Sequence, residues 1–282
     1  QYNHLFREIF GMNWPDWKKS YYQIMHKLDF DTEADFQSVQ LLETYLTKLY
    51  PAKKESILLK LKIIQKKPVI IAGAGPSLKK DFSTLFLDPS SSKIRFNFQI
   101  IAVDGATTLF KEKNIIPSIV VTDLDGDLAA ISWAIQKGAL TLIHAHGDNQ
   151  KQISLFFQKY DNIISKNDVW GTAQCEPGQF LLNFGGFTDG DRAIFLAFHF
   201  QSPLIGLIGF DFGTQIGEYS TLNSPFKKKK GKKLEKFHIA LDLLASFHSQ
   251  HSGLRYNLTH KGQQIPGFPR VDVATFLRDW IG

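Results

Sequence analysis

The stretch PVIIAGAGPSL at residues 68–78 decides the fold of this chain. It opens with an apolar run, Val69 to Ala72, and passes directly into a glycine-rich turn. A short apolar run without polar alternation predicts a strand that is covered on both faces. The glycine and proline residues predict an abrupt turn into the next element. We therefore interpret this stretch as the first strand and turn of an α/β sheet.

The same pattern recurs along the rest of the chain. Short apolar runs that end in Gly, Asp or His lie at 100–103, 119–121, 140–143 and 204–208, with helical stretches between them. Apolar strands that alternate with helices are typical of a parallel sheet. We predict an α/β fold with a Rossmann-like, mostly parallel sheet and helices on both faces. Ligands of such sheets bind beyond the carboxyl ends of the strands, where the polar motifs of this sequence lie.

The residues before Lys67 follow a helical pattern instead. Apolar side chains recur at a helical period between 31 and 50, a second helix is predicted over 57–64, and Pro51 separates the two. The first helical stripe consists of Phe36, Val39, Leu42, Leu46 and Leu49.

This change of pattern predicts two units. We expect a helical N-terminal subdomain over 1–67 and a Rossmann-like domain over 68–282, the second with a lysine-rich loop at 213–236. The default interpretation of such a charged run is a solvated loop, and the alternative is a mobile lid whose lysines neutralise a triphosphate.

The composition is that of an ordinary globular protein. Of the 282 residues, 43% are hydrophobic, and the net charge of +6 comes largely from the lysines between 227 and 236. We therefore expect neither a nucleic-acid nor a membrane partner. With Cys175 as the single cysteine and no signal-peptide pattern, we expect a cytoplasmic protein.

The first motif is the glycine-rich turn after the first predicted strand. Gly73 and Gly75 would let the backbone approach a phosphate, and Pro76 and Ser77 lead into a helix N-terminus that favours an anion. The dinucleotide fingerprint would need a third glycine where Leu78 stands, and the lysine of the Walker motif is missing. A tight turn without a ligand is the alternative.

The second motif, Asp104-Gly105, follows the next predicted strand. An aspartate at this position can accept a hydrogen bond from a ribose hydroxyl or a base amine. It can equally cap the following helix.

The third motif is TDLDGD at residues 122–127. Its carboxylates Asp123, Asp125 and Asp127 alternate directly after an apolar strand, and such crowding is costly without a cation. Mg²⁺ prefers hard oxygen ligands, often one or two carboxylates together with phosphates. We predict that Asp123 and Asp125 hold a metal ion. The alternative is a solvated turn in which Asp127 caps a helix.

The fourth motif is HAHGDN at residues 144–149. The pair His144 and His146 followed by Asp148 resembles a zinc-hydrolase ligand run, but no further zinc motif follows. Ordinary hydrogen bonding at a strand end is a second interpretation. We favour a third, in which His146 and Asn149 contact a heterocycle or a phosphate.

The last two motifs lie in the second half of the chain. GGFTDGDRA at 185–193 places Thr188 or Asp189 as a helix cap and Arg192 in the first helical turn, where a cation opposes the helix dipole unless it faces a phosphate or pairs with an aspartate. GFDFG at 209–213 places Asp211 and an aromatic ring beside the ligand.

Taken together, GAGPSL, VDGA, TDLDGD, HAHGDN, GGFTDGDRA and GFDFG resemble the archaeal 6-hydroxymethyl-7,8-dihydropterin pyrophosphokinases, a family related in fold to thiamin pyrophosphokinases. The resemblance covers about residues 67–260, and the acidic motif and GGFTDGDRA are its most specific parts. It implies Mg²⁺ and ATP as requirements, a pterin as the acceptor, AMP as a product, and a place in tetrahydromethanopterin- or folate-type cofactor biosynthesis.

The resemblance also implies roles for individual residues. Asp123 and Asp125 would hold Mg²⁺ against the phosphates, and the HAHGDN and GGFTDGDRA segments, including Thr188, would line the substrate site. For the reaction itself we expect Arg192 to assist, and Asp148 or Asp189 to accept the hydroxymethyl proton or bind the pterin ring.

Three alternatives stay open at this point. A thiamin pyrophosphokinase-like enzyme would share the fold, although the histidine-rich HAHGDN segment departs from the thiamin enzymes. A nucleotide-sugar-dependent glycosyltransferase of the flagellin-modification type could use the same acidic motif, although such chains are usually much longer. A nucleotide-binding module without catalysis is the third. A homodimer is one open expectation for the oligomeric state.

Overall fold

A computed structural model describes residues 14–49, 54–91, 94–222 and 230–281 of the chain. Its N-terminal part is helical, as predicted. Helices α1 (Trp14–Leu28), α2 (Thr32–Leu49) and α3 (Lys54–Leu61) precede a 3-10 turn at Lys62–Lys66.

The rest of the described chain is built on a seven-stranded sheet in which every strand pair is parallel. Its strands are β1 (Val69–Ala72), β2 (Gln99–Val103), β3 (Ile119–Thr122), β4 (Leu140–Ala145), β5 (Val169–Ala173), β6 (Leu204–Ile208) and β7 (Leu254–Asn257). The strand order is β5-β4-β3-β2-β1-β6-β7, so the chain winds outward from β1 and then returns to its other side. This reversal creates a crevice between the ends of β1 and β6, where α/β sheets bind ligands.

Helices connect the strands, because parallel strands need a crossover that brings the chain back to the same edge. The connecting helices are α4 (Leu78–Phe82), α5 (Ile94–Asn97), α6 (Ala106–Glu112), α7 (Leu128–Gln136), α8 (Gln150–Ile164), α9 (Asp189–His199) and α10 (Lys230–Phe247), and α11 (Val273–Ile281) follows the last strand. The predicted α/β fold with a parallel sheet is therefore confirmed.

The core lies on both faces of the sheet. Strands β1 to β6 are buried along their whole length, as continuous apolar runs require. One face packs against Phe82, Phe86 and Phe110. The other face shares a single apolar cluster with α1 and α2, including Trp17 and Leu42. The N-terminal helices thus cover one face of the sheet, while the division into two domains stays a prediction.

Two details differ from the sequence prediction. Phe36 was assigned to the buried stripe of α2, but it is 41% exposed and Asp35, which is 2% exposed, takes its place. The lysine-rich loop was predicted to reach 236, but α10 begins at Lys230, so its last seven positions are helical. Residues 223–229 of that loop lie outside the described part of the chain.

Within the described ranges, no helix is both long enough and apolar enough to span a bilayer.

Candidate functional site

A cavity of about 700 Å³ opens at the carboxyl edge of the sheet. The ends of β1, β2, β3, β4 and β6 all contribute to its wall, and so do the turn between α1 and α2 and the start of α9. Of the predicted site residues, the cavity is lined by Gly73, Gly75, Pro76, Asp104, Asp123, Asp125, His146, Asp148, Thr188, Asp189 and Asp211. The strand-end motifs therefore meet in one place.

Three carboxylates converge in this cavity. Asp104, Asp123 and Asp189 each offer an oxygen, and these oxygens lie within 4.8 Å of one another. Asp104 follows β2, Asp123 follows β3, and Asp189 begins α9. The backbone N–H of Asp123 donates to Oδ2 of Asp189 over 3.2 Å, which joins two motifs that are distant in sequence. We call these three residues the carboxylate cluster.

Asp104 is held in the cluster by its neighbours. Its Oδ1 accepts hydrogen bonds from Thr122 Oγ1 at 2.8 Å and from the N–H of Gly126 at 3.0 Å. A Cβ at Gly126 would lie 2.9 Å from that oxygen, so the glycine permits the approach. Asp104 also adopts a left-handed backbone conformation with φ of 42°, as Leu124 does with φ of 67°. Backbone strain of this kind concentrates at functional sites.

The other two acids of TDLDGD lie outside the carboxylate cluster. Asp125 lines the cavity and accepts a hydrogen bond from Gln152 Nε2 at 3.2 Å. Asp127 caps α7, because its Oδ1 accepts from the N–H groups of Ala129 and Ala130. The motif was predicted to hold a metal through Asp123 and Asp125, whereas the structure brings Asp123 together with Asp104 and Asp189 instead.

The HAHGDN segment supports the site from β4. Asn149 is fully buried and does not line the cavity, since its amide donates to the carbonyls of Asp123 and His144 at 3.0 and 2.6 Å. It fixes the segment rather than meeting a ligand. His146 lines the cavity, with Nε2 3.6 Å from Asp123 Oδ2. Burial lowers the pKa of His144 well below its ordinary value, so His144 stays neutral.

The glycine turns of β1 and β6 are locked to each other. Gly73 N–H donates to Ile208 O and Gly75 N–H to Gly209 O, both at 2.9 Å. Ser77 donates to Asp211 through its N–H at 3.1 Å and through its hydroxyl. Asp211 therefore faces the cavity but also fixes the turn.

Ser77 and Gly105 belong to the two motifs that were predicted to bind the nucleotide, but neither residue lines the cavity. Ser77 is buried, and Gly105 packs so closely under Tyr219 that a Cβ would lie 2.0 Å from the Tyr219 carbonyl oxygen.

The GGFTDGDRA motif is organised by a capping box at the start of α9. Asp191 accepts hydrogen bonds from the N–H groups of Phe187 and Thr188, and the Thr188 hydroxyl also donates to it. The predicted cap by Thr188 is thus confirmed. This arrangement places Asp189 in the carboxylate cluster.

Arg192 was predicted to face a phosphate or to pair with an aspartate, and the structure places it behind the cavity. It is 4% exposed and does not line the cavity, and its Nη1 donates to Ala173 O at 3.3 Å. Burial lowers its pKa to about 10, which still leaves it charged at neutral pH. Its charge lies close to Asp189 and Asp191, so Arg192 can offset the negative charge of the site from its buried position.

The contribution of α2 was missed in the sequence. Buried Asp35 accepts hydrogen bonds from Gly147 N–H at 2.6 Å, from Gln174 Nε2 at 2.6 Å and from Tyr21 OH at 3.0 Å. Ser38 Oγ donates to His146 O at 2.7 Å. The signal available in the sequence was an acid on the apolar stripe of a helix, four residues before Val39.

The sequence prediction also missed two aromatic residues that line the cavity, Phe30 and Phe187. Phe30, in the turn between α1 and α2, lies 6.4 Å from Phe187, measured between ring centroids. Lys236 Nζ lies 5.5 Å from the Phe30 ring and 5.8 Å from the Phe187 ring. With 24 phenylalanines in the chain, composition alone could not single out these two.

The carboxylate cluster fits a hard divalent cation. Its donors are carboxylate oxygens only, and their mutual spacing allows all three to contact one ion. Of the described residues, no histidine or cysteine takes part in such a group, which disfavours the zinc arrangement considered for His144 and His146.

Comparison with known proteins identifies the family. Residues 43–217 match the family described as "6-hydroxymethylpterin diphosphokinase MptE-like". The chain belongs to this MptE-like family. Proteins named 6-hydroxymethyl-7,8-dihydropterin pyrophosphokinase are similar to it.

Three such relatives show the extent of the likeness. The one from Methanocaldococcus jannaschii is 38% identical over 75% of this chain and 85% of its own length. Those from Methanothermobacter thermautotrophicus and Pyrococcus furiosus are each 36% identical, over 72% and 79% of this chain and 81% and 90% of their own lengths. The predicted resemblance is confirmed.

A solved structure is also similar, that of the MAf glycosyltransferase from Magnetospirillum magneticum AMB-1. It has a TM-score of 0.41 and 14% identity, and it covers 73% of this chain and 33% of its own. A likeness this distant carries no argument about activity.

Proposed function

We propose that this MptE-like protein transfers the terminal diphosphate of ATP to 6-hydroxymethyl-7,8-dihydropterin and releases AMP. The observation that carries the proposal is the carboxylate cluster beside the glycine turns, in a chain whose relatives bear the name of this activity. The reaction would serve the biosynthesis of a pterin cofactor of the tetrahydromethanopterin or folate type.

The metal requirement follows from the donor set. Asp123, Asp104 and Asp189 would hold Mg²⁺, and when bound the ion withdraws charge from the phosphate oxygens. Three crowded carboxylates would otherwise repel both one another and the triphosphate.

The backbone at the crevice between β1 and β6 would position the nucleotide. Gly73, Gly75 and Gly209 keep the chain free of side chains where β1 and β6 diverge, so phosphates can approach the main chain closely. A Cβ at Gly75 would collide with both Gly209 and Asp211.

The chemical step needs alignment more than covalent help from the protein. The hydroxymethyl oxygen of the acceptor attacks the β-phosphorus of ATP, the bond from that phosphorus to the α,β-bridging oxygen breaks, and AMP leaves. We assign the departing hydroxyl proton to Asp148, an exposed carboxylate that lines the cavity, because Asp189 is committed to the carboxylate cluster.

The test is a direct assay of AMP formation. Purified protein is incubated with Mg²⁺ and ATP, and with either the hydroxymethyl dihydropterin or thiamin as acceptor. We expect AMP with the dihydropterin alone. AMP with thiamin alone would favour the thiamin alternative, and ATP binding without AMP from either acceptor would favour a non-catalytic binding module.

A further inference from the structure

The strand order divides the cavity into two halves. β2 and β3, which supply Asp104 and Asp123, lie between β1 on one side and β4 on the other. Adjacent strands are about 4.8 Å apart, so the ends of β1 and β4 lie roughly 14 Å apart. The glycine turns of β1 and β6 therefore occupy one half of the cavity, and residues 146–148 after β4 occupy the other.

Each half of the cavity is bounded by a different segment of the chain. On the glycine-turn side, the cavity is lined by Gln215, Gly217 and Ser220. This segment packs on the turn after β1, since a Cβ at Gly217 would lie 2.1 Å from Ala74 O. On the β4 side, the cover comes from the turn at 29–31 and the start of α2.

The start of α2 is docked firmly onto the β4 side. Gly147 N–H donates to Asp35, Ser38 Oγ donates to His146 O, and Gln150 Nε2 donates to Ala34 O at 3.2 Å. A Cβ at Gly147 would lie 2.8 Å from that of Ala34, so the two segments are in close contact. This wall is therefore built into the fold.

Two aromatic residues, Phe30 and Phe187, belong to the same part of the cavity wall. Phe30 extends from the turn at 29–31, while Phe187 lies two residues before Asp189 of the carboxylate cluster. Both rings line the cavity, with centroids 6.4 Å apart and planes inclined by 32°. An apolar ring surface thus lies next to the residues that would hold the transferring phosphates.

We propose that Phe30 and Phe187 form the aromatic wall of the acceptor site, against which a flat heterocycle stacks. The inference rests on the proposed function, which it deepens by naming the acceptor's contacts. Aromatic stacking supplies area and orientation without reading a particular hydrogen-bond pattern. The hydroxymethyl end of the heterocycle would then face His146 and Asp148, which line the same half of the cavity.

Lys236 lies beside both rings of the aromatic wall. Its ammonium group lies within 6 Å of both ring centroids, in the range of cation–π attraction. Since α10 carries Lys236 and Phe237, which both line the cavity, this helix also contributes to the wall of the cavity.

The test compares Phe30→Ala with a matched control, Phe36→Ala. Phe36 lies on α2, a few residues away, and is 41% exposed outside the cavity. AMP formation is measured against dihydropterin concentration at saturating ATP, and then against ATP concentration at saturating dihydropterin. We expect Phe30→Ala to raise the KM for the dihydropterin about tenfold. The KM of Phe30→Ala for ATP should stay within about twofold of the parent value. Phe36→Ala should keep both its KM for the dihydropterin and its KM for ATP within the same range.

A conservative variant separates contact from folding. Phe30→Tyr keeps the ring and should restore a KM for the dihydropterin close to that of the parent. An unchanged KM for the dihydropterin in Phe30→Ala would overturn the inference. So would a rise confined to the KM for ATP, which would assign the rings to the adenine.

A binding measurement distinguishes failure of this inference from failure of the proposed function. Fluorescence titration of each variant with oxidised 6-hydroxymethylpterin requires no turnover. If the parent forms no AMP but binds this probe, and Phe30→Ala binds it about tenfold more weakly, the aromatic wall stands while the proposed reaction fails. If the parent does not bind the probe, the aromatic wall is refuted.

Discussion

The backbone N–H of Asp123 donates a hydrogen bond to the carboxylate of Asp189, and this contact joins the acidic turn after β3 to the start of α9. Each carboxylate alone would be an ordinary strand-end or helix-capping residue. Together with Asp104 they make a group in which an ion can be held.

The first prediction concerns the carboxylate cluster. Asp123→Asn should lower kcat about 100-fold or more, because the neutral amide is a poor ligand for a hard cation and leaves phosphate charge uncompensated. Asp125→Asn should lose less than about tenfold, since Asp125 lies outside the cluster. Steady-state AMP formation by the two variants checks the contrast. Equal losses would show that Asp125 shares the ion.

The second prediction concerns the crevice between β1 and β6. A Cβ at Gly75 would lie 2.2 Å from Asp211 Oδ2 and 2.4 Å from Gly209 O, so Gly75→Ala must displace one turn from the other. We expect the KM for ATP to rise about tenfold or more. Gly213→Ala is the control, because the nearest atom to its Cβ would be 4.0 Å away. Comparable KM values for ATP in both variants would contradict the role of the crevice.

The third prediction concerns the buried carboxylate of α2. Asp35→Ala leaves the donors of Gly147, Gln174 and Tyr21 without their acceptor, and should lower the free energy of unfolding by about 3 kcal/mol. Urea denaturation measures the change. Asp31→Ala, which removes the exposed cap bond to Glu33 N–H, should cost about 1 kcal/mol. A smaller loss for Asp35→Ala than for this control would contradict the network.

The fourth prediction concerns acid stability. Burial lowers the pKa of His199 and of His251 to about 4, below their ordinary value in the unfolded chain. Below about pH 6.5 the unfolded chain therefore binds more protons than the folded chain. As the pH falls from 6.5 to 4, each histidine should lower the free energy of unfolding by more than about 1 kcal/mol.

The histidine contribution is isolated by substitution. His251 Nε2 donates to Ser202 O at 2.8 Å, and Gln at this position retains a donor but does not titrate. Urea denaturation between pH 6.5 and 4.5 should give a shallower pH dependence for His251→Gln than for the parent. An identical slope would show that His251 does not contribute.

The sequence predicted the sheet and most of the cavity wall because both depend on local patterns. Continuous apolar runs specify buried parallel strands, and polar residues at their ends must meet at one edge. The partners within that edge depend on strand order and on backbone conformation. Asp104 joins Asp123 because β2 lies beside β3, whereas Asp125 is two residues further along a sharp turn.

Long-range packing explains the remaining differences. Arg192 was expected to face a phosphate or to pair with an aspartate, and it lies buried in the first turn of α9, close to Asp189 and Asp191. Asp35 gave only the signal of an acid on an apolar helix stripe and Phe30 gave none, since their roles arise only when the N-terminal helices dock on the sheet.

The most direct test of the proposed reaction is phosphorus NMR of a completed incubation with Mg²⁺, ATP and 6-hydroxymethyl-7,8-dihydropterin. The account predicts equal amounts of AMP and a pterin diphosphate, with neither formed when Mg²⁺ is chelated. ADP with a pterin monophosphate, or unchanged ATP at every Mg²⁺ concentration, would contradict it.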